Sequence, residues 1–196
     1  MPQVHGKKPK DFQLLIDHID TILNGTPEEK SALAMHYYKV ADTPDFLKEL
    51  GLRGESFIIK YGVITRHRNK NEDHKLTVQN WKDICEKITA PLAVAEFKGN
   101  YRLFVDTLWN GKYVMVGVDV VQMKNGMVIN SITTAFARNN NNNATLLYTD
   151  KKITAEKLAF LTQHIPAQYP DNGGVSPDCS DTVTIAQEVE KSRGEN

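Results

Sequence analysis

The spacing of apolar residues changes period about halfway along the chain. In "DFQLLIDHIDTILNG", Leu15, Ile19, Ile22 and Leu23 recur at helical intervals and Gly25 stops the run, so one amphipathic helix is expected there. "TPEEKSALAMHYYKVAD" follows, with Thr26 as N-cap, Pro27 at the first helical position and Glu29 three residues after the cap. That is a capping box, which satisfies backbone N–H groups that a helix start otherwise leaves orphaned. "TPDFLKELG" repeats the logic with Thr43, Pro44 and Gly51, so residues 10 to 50 are read as helical. "ESFIIKYGVITRH" is β-branched and aromatic and predicts a strand over residues 56 to 64. In "LTVQNWKDICEKI", Val78, Trp81, Ile84, Cys85 and Ile88 form one stripe behind a Thr77 cap.

From Pro91 the period falls to two. "PLAVAEF", "YRLFVDTLW", "KYVMVGVDVVQM", "MVINSITTAFA" and "ATLLYT" are strand-like. Asn110-Gly111 and Asn125-Gly126 stand at two of the joints, and Asn-Gly suits a type I′ hairpin turn because both central residues need positive φ. The pattern predicts an α+β fold, with N-terminal helices followed by a four- to five-stranded antiparallel meander. "ITAEKLAFL" is read as a further helix. The division is a helical segment over 1–45, a main domain over 46–165, and an extended or disordered tail over 166–196.

Composition narrows the chemistry. Lys plus Arg and Asp plus Glu each number 24, so any affinity for nucleic acid or an anionic surface must come from local patches. Cys85 reads as a helix core residue and Cys179 as a tail thiol, at a separation matching neither metal nor redox motifs. No export signal is visible, and no apolar window approaches the length of a membrane span. Metal-ligand spacings, glycine-rich nucleotide fingerprints and the serine-hydrolase elbow are all missing, so neither metal nor cofactor is expected.

Two stretches carry candidate chemistry. "HRNKNEDHKLT", His67 to Thr77, is a basic loop in a neutral chain, and His74 stands just before the Trp81 helix. Such a loop is either an ordinary solvated surface or a place where imidazoles meet a phosphate. In "INSITTAFAR", strict alternation puts Asn130, Ile132, Thr134, Phe136 and Arg138 on one side, and Ser131, Thr133, Ala135 and Ala137 on the other. The row Asn130, Thr134, Arg138 either lines a cleft suited to an oxyanion or pairs across strands at a sheet edge. The run Asn139 to Asn143 reads as a solvated connection.

The order of "HKLT", the Trp81 helix, "APLAVAEF", the hairpin strands, "VINSITTAFAR" and "LLYTDKKIT" resembles the C-terminal domain of phage MuF-type proteins. That group is placed among the barnase, EndoU, colicin E5/D and RelE-like (BECR) nucleases. The upstream "TPDFLKELGLRGESFIIKYGVITRH" resembles versions from gut Bacteroidetes mobile elements. The resemblance implies a BECR-type, metal-independent endoribonuclease fold, acting as a toxin or effector on RNA in the cytoplasm or delivered with the phage or element. Carried over to this sequence, it implies His74 for proton transfer, Arg138 for charge stabilisation, and Thr133 or Thr134 with Asn130 for the phosphate. Lys75, His67, Tyr148 and Lys151 become substrate contacts. RNA, an immunity protein, or a phage head or transfer protein are the implied partners. The alternative is a non-catalytic docking module, or a degraded nuclease that keeps RNA binding.

Overall fold

A computed structural model describes residues 9, 12–66, 75–137, 144–151 and 153–154. Helices α1 (Phe12–Asn24) and α2 (Pro27–Leu33) come first, followed by strand β1 (Tyr37–Asp42), helix α3 (Asp45–Glu49), strand β2 (Ser56–Lys60) and helices α4 (Tyr61–Arg66) and α5 (Val78–Lys87). Strands β3 (Ala93–Phe97), β4 (Asn100–Trp109), β5 (Lys112–Gln122), β6 (Val128–Ala137) and β7 (Thr145–Thr149) complete the order. The fold is α+β. The sheet has seven strands in the order β1-β2-β6-β5-β4-β3-β7, with β2 and β6 parallel and every other neighbour antiparallel.

The helix starts follow the capping chemistry of the sequence. Thr26 and Glu29 form the expected reciprocal box, and Thr77 forms one with Asn80. Three expectations upstream are corrected. Residues 37–42 are a strand rather than the end of a helix, because Tyr38 and Val40 alternate into the core while β2 pairs with the backbone. Thr43 does not cap α3, whose N-cap is Pro44; its hydroxyl serves Asn130 instead. The strand expected over 56–64 stops at Lys60, and the chain turns into α4 so that Val63 and Ile64 are buried together.

The expected meander exists over β3 to β6 but forms part of a larger mixed sheet. β6 already has β2 on its other side, so β7 cannot extend the meander there and pairs with β3 at the opposite edge. The two strands flanking the asparagine run therefore lie four places apart in the sheet. The run itself, the helix expected over "ITAEKLAFL" and the tail from Pro166 fall outside the described residues.

The turns divide by type. Asn110 and Gly111 take positive φ (50° and 73°) as the type I′ turn requires, and Lys98-Gly99 (52° and 81°) makes the same turn without an Asn-Gly signal. At the second Asn-Gly pair only Gly126 is at positive φ (84°), and the Met123 N–H donates to Met127 O across a three-residue loop.

Strand alternation gives the sheet two unlike faces. On the helix face, Leu103, Val105, Val116, Val118 and Ile132 join Leu15, Ile19 and Ile22 of α1 and Trp81, Ile84 and Cys85 of α5 in one core. That core runs from the first helix to the last strands, so the N-terminal helices and the meander share it. The far face holds a smaller apolar cluster around Ala93, Ala95, Phe104 and Met115. α5 is fixed by polar groups as well. Asn80 Nδ2 donates to Leu108 O (3.0 Å), and the Thr107 hydroxyl donates to Asp83 (2.8 Å), where a register shift in β4 leaves Asp106 and Thr107 out of the ladder.

Candidate functional site

β5 shows how the far face changes along one strand. Val114, Val116 and Val118 point to the helices, while Met115, Gly117 and Asp119 point the other way, from apolar to polar. Gly117 pairs with Arg102 on β4 and with Thr134 on β6, so the three form one row across the sheet. Glycine is required in the middle: a Cβ there would sit 2.6 Å from the Thr134 methyl carbon. The missing side chain leaves room for the Thr134 methyl over Gly117, with the Thr133 hydroxyl oxygen 3.6 Å from the same point.

Both threonines reach this side because of a bulge. Gly117 pairs with Thr134 and Val118 with Ile132, which leaves Thr133 as the extra residue. Its hydroxyl donates to Gly117 O at 3.3 Å. The bulge resets the alternation and corrects the expected faces. Ile132, Ala135 and Ala137 belong to the helix-face core and Phe136 to the far-face cluster, so Asn130 and Thr134 do not share a side.

Arg102 is half-buried, with its guanidinium carbon 4.1 Å from the Phe97 ring centroid. Stacking on an aromatic ring holds the planar fork in place. Burial pulls its pKa below the ordinary arginine value, though an arginine keeps its charge at physiological pH. The Arg102 guanidinium over this glycine floor makes a notch chemically suited to a phosphate or another oxyanion, while the Thr133 hydroxyl proton is already given to Gly117 O. Arg102 and Gly117 are not among the candidates that the sequence suggests, and their signals there are faint: an arginine inside an apolar strand, and a glycine at the centre of a β-branched one, which marks close approach.

The other expected site residues are dispersed. Asn130 is fully buried on the helix-face side and holds the connector between β1 and β2. Its Nδ2 donates toward Thr43 Oγ1 (2.8 Å), Leu52 O and Gly54 O (both 3.1 Å), and its Oδ1 accepts from the Gly54 N–H (3.1 Å). Tyr148 also faces the helix side, 5.4 Å from the Phe46 ring, with its phenol pushed above the ordinary value by burial and then by Asp150. Lys75 and Lys151 are exposed before α5 and after β7. His67, His74 and Arg138 lie outside the described residues.

Their described neighbours meet at one end of the sheet. Thr77 begins α5, Asn80 of the same turn bonds Leu108, Leu108 pairs with Tyr113, and the next residue, Val114, pairs with Ala137 where β6 ends. Among the described residues no group of three or more His, Cys, Asp or Glu side chains could hold a metal ion. No described helix is long and apolar enough to cross a membrane.

The family model described as the phage MuF C-terminal domain matches residues 65–162, half of the chain. The chain belongs to this family. The match to the MuF C-terminal domain begins at the end of α4 and takes in α5 and β3 to β7, so β1 and β2 complete the sheet from outside it. No match was found among curated proteins or among solved structures.

Proposed function

We propose that this MuF C-terminal domain protein is an RNA-directed module of a phage or mobile element, with ribonuclease-type chemistry of the BECR kind. The observation that carries the reading is the far-face notch, where Arg102, Thr133 and Thr134 gather across Gly117 in a chain of zero net charge. A guanidinium held in a fixed place on a sheet face offers what an RNA phosphate needs. In the cleavage step, His74 takes the 2′-hydroxyl proton as O2′ attacks phosphorus and the P–O5′ bond breaks. Arg138 stabilises the crowded phosphorane, and an acid returns a proton to O5′. The meeting of the α5 start and the β6 end at one end of the sheet supports assigning their sequence neighbours His74 and Arg138 to one role. Lys75, His67 and Lys151 serve as further contacts to the RNA backbone. The protein works in the cytoplasm or travels with the phage or element, and an immunity protein or a head or transfer protein is its natural partner.

A second reading, RNA binding without turnover, has a specific observation in its favour. The Asn130 amide is committed to Thr43, Leu52 and Gly54, and the Thr133 hydroxyl to Gly117, so part of the expected phosphate set already serves the fold. Incubating the purified protein with total RNA in EDTA separates the two. Cleavage abolished by His74→Ala and by Arg138→Ala supports the enzyme. Salt-dependent binding without cleavage, weakened by Arg102→Ala, supports the second reading. No interaction with any RNA overturns both and leaves a protein-docking module.

A further inference from the structure

The far face continues past Thr134 onto β2 and β1. On β2, Ile59 pairs with Ile132, which puts Lys60 next to the Thr133–Thr134 bulge, and Lys60 pairs with Tyr37 on β1. Ile59 and Tyr38 belong to the helix-face core, so Lys60 and Tyr37 project to the far face. Two short rows thus lie on adjacent strands of the far face: Tyr37 and Lys60 on β1 and β2, and, across the joint where the β2–β6 ladder ends at Ile59 and Ile132, Thr134, Gly117 and Arg102 on β6, β5 and β4, with Phe97 against Arg102. Both ends carry a cation on an aromatic ring. Lys60 Nζ is 5.1 Å from the Tyr37 centroid, and the Arg102 guanidinium carbon is 4.1 Å from that of Phe97.

We infer that these rows form a binding track for single-stranded RNA, with Tyr37 stacking an unpaired base and Lys60 meeting the adjacent phosphate. Tyr37 is 59% exposed, an unusual setting for a large ring whose neighbour Tyr38 is 5% exposed in the core. Aromatic rings interleaved with cations on a sheet face are what unpaired, backbone-charged strands require, and they offer nothing comparable to a duplex with stacked bases. From β1 to β4 the two rows span about 19 Å at the usual strand spacing, room for several nucleotides. Two described acidic residues lie near the track: Asp42, paired with Lys39 at 2.5 Å, and Asp119, two residues beyond Gly117 on β5. Since β1 and β2 precede the matched residues 65–162, the N-terminal segment supplies two of the five strands of the track. The inference rests on the RNA-directed reading above.

The test is fluorescence anisotropy of the full chain with a labelled single-stranded RNA of about ten nucleotides and with its duplex, across a salt series. Tyr37→Ala is expected to weaken single-strand binding at least about fivefold, Tyr37→Phe to restore it, and duplex binding to stay unchanged. Lys60→Ala is expected to flatten the salt dependence by about 0.7 in the log–log slope, the value of one phosphate contact on a single strand. Binding by Tyr37→Ala and Lys60→Ala at wild-type strength, with Arg102→Ala weakened, would sink the track and leave the RNA-directed reading standing. Absence of RNA binding by the wild-type chain overturns the track and that reading together. Melting curves confirm that each variant is folded, and the exposure of Tyr37 keeps its truncation out of the core.

Discussion

The two faces of the sheet are made by the same strands and differ in almost everything else. The helix face is one continuous apolar core, closed by α1, α4 and α5, in which Trp81, Phe57 and Ile84 are almost wholly buried. The far face is apolar around Phe104 and Met115 and turns polar along the row through Gly117. The first face can be altered only at the expense of stability, because close-packed side chains leave no room to relax. In the polar half of the second, Tyr37 and Lys60 are exposed and Arg102 and Thr134 half-buried, so only Gly117, under the Thr134 methyl, is tightly constrained there.

The sharpest break of this contrast is Trp81→Ala. Removing the indole from α5 on the helix face is expected to cost about 3–5 kcal/mol, read as a lower midpoint in urea denaturation. A loss below about 1 kcal/mol would mean that the helix face is not the principal core.

Next in size is Gly117→Ala, which drives a methyl into the Thr134 side chain. It is expected to cost about 1–3 kcal/mol, and Thr134→Ser, which removes the opposing methyl, should recover much of the loss. A double-mutant cycle checks this. Additive effects of the two substitutions would show that the threonine does not lean over the glycine.

The smallest effect concerns alkaline pH and belongs to the helix face. Tyr148, Tyr38 and Tyr101 all have phenols pushed above the ordinary tyrosine value of about 10, with burial as the first cause in each. A raised folded-state value means that the unfolded chain releases the proton first. The stability these groups contribute is therefore full below pH 10 and declines as pH rises through the folded-state values. Tyr148→Phe should melt with a shallower loss of stability than wild type above that pH. Parallel curves for the two proteins would count against its burial on the helix face.

Much of the architecture was legible in local pattern. The 3.6-residue period of Leu15, Ile19 and Ile22, the boxes at Thr26 and Thr77, the strands from Ala93 onward and the Asn110-Gly111 turn are consequences of sequence neighbours, and they form as read. "MHYYKV" departs from the helix its neighbours favour, because the decisive interaction is with Ser56–Lys60, some twenty residues away in the chain. The parallel pairing of β2 with β6 spans more than seventy residues and leaves no trace in either strand taken alone.

The site follows the same division. The hydroxyl cluster Thr133-Thr134 and its neighbour Asn130 are visible in the sequence as polar residues within an apolar strand. Residue types and their two-residue period determined that these strands would form and that their polar members needed an outlet. Which face each residue took depended on one bulge at Thr133, and which partners it met depended on strand order. Asn130 was thereby turned inward to hold Thr43 and Gly54, while Thr134 was set opposite Gly117, in one row with Arg102. A bulge shifts alternation by one residue, and long-range pairing is selected by the energy of the whole sheet. Neither is set by the residues that surround it in the chain.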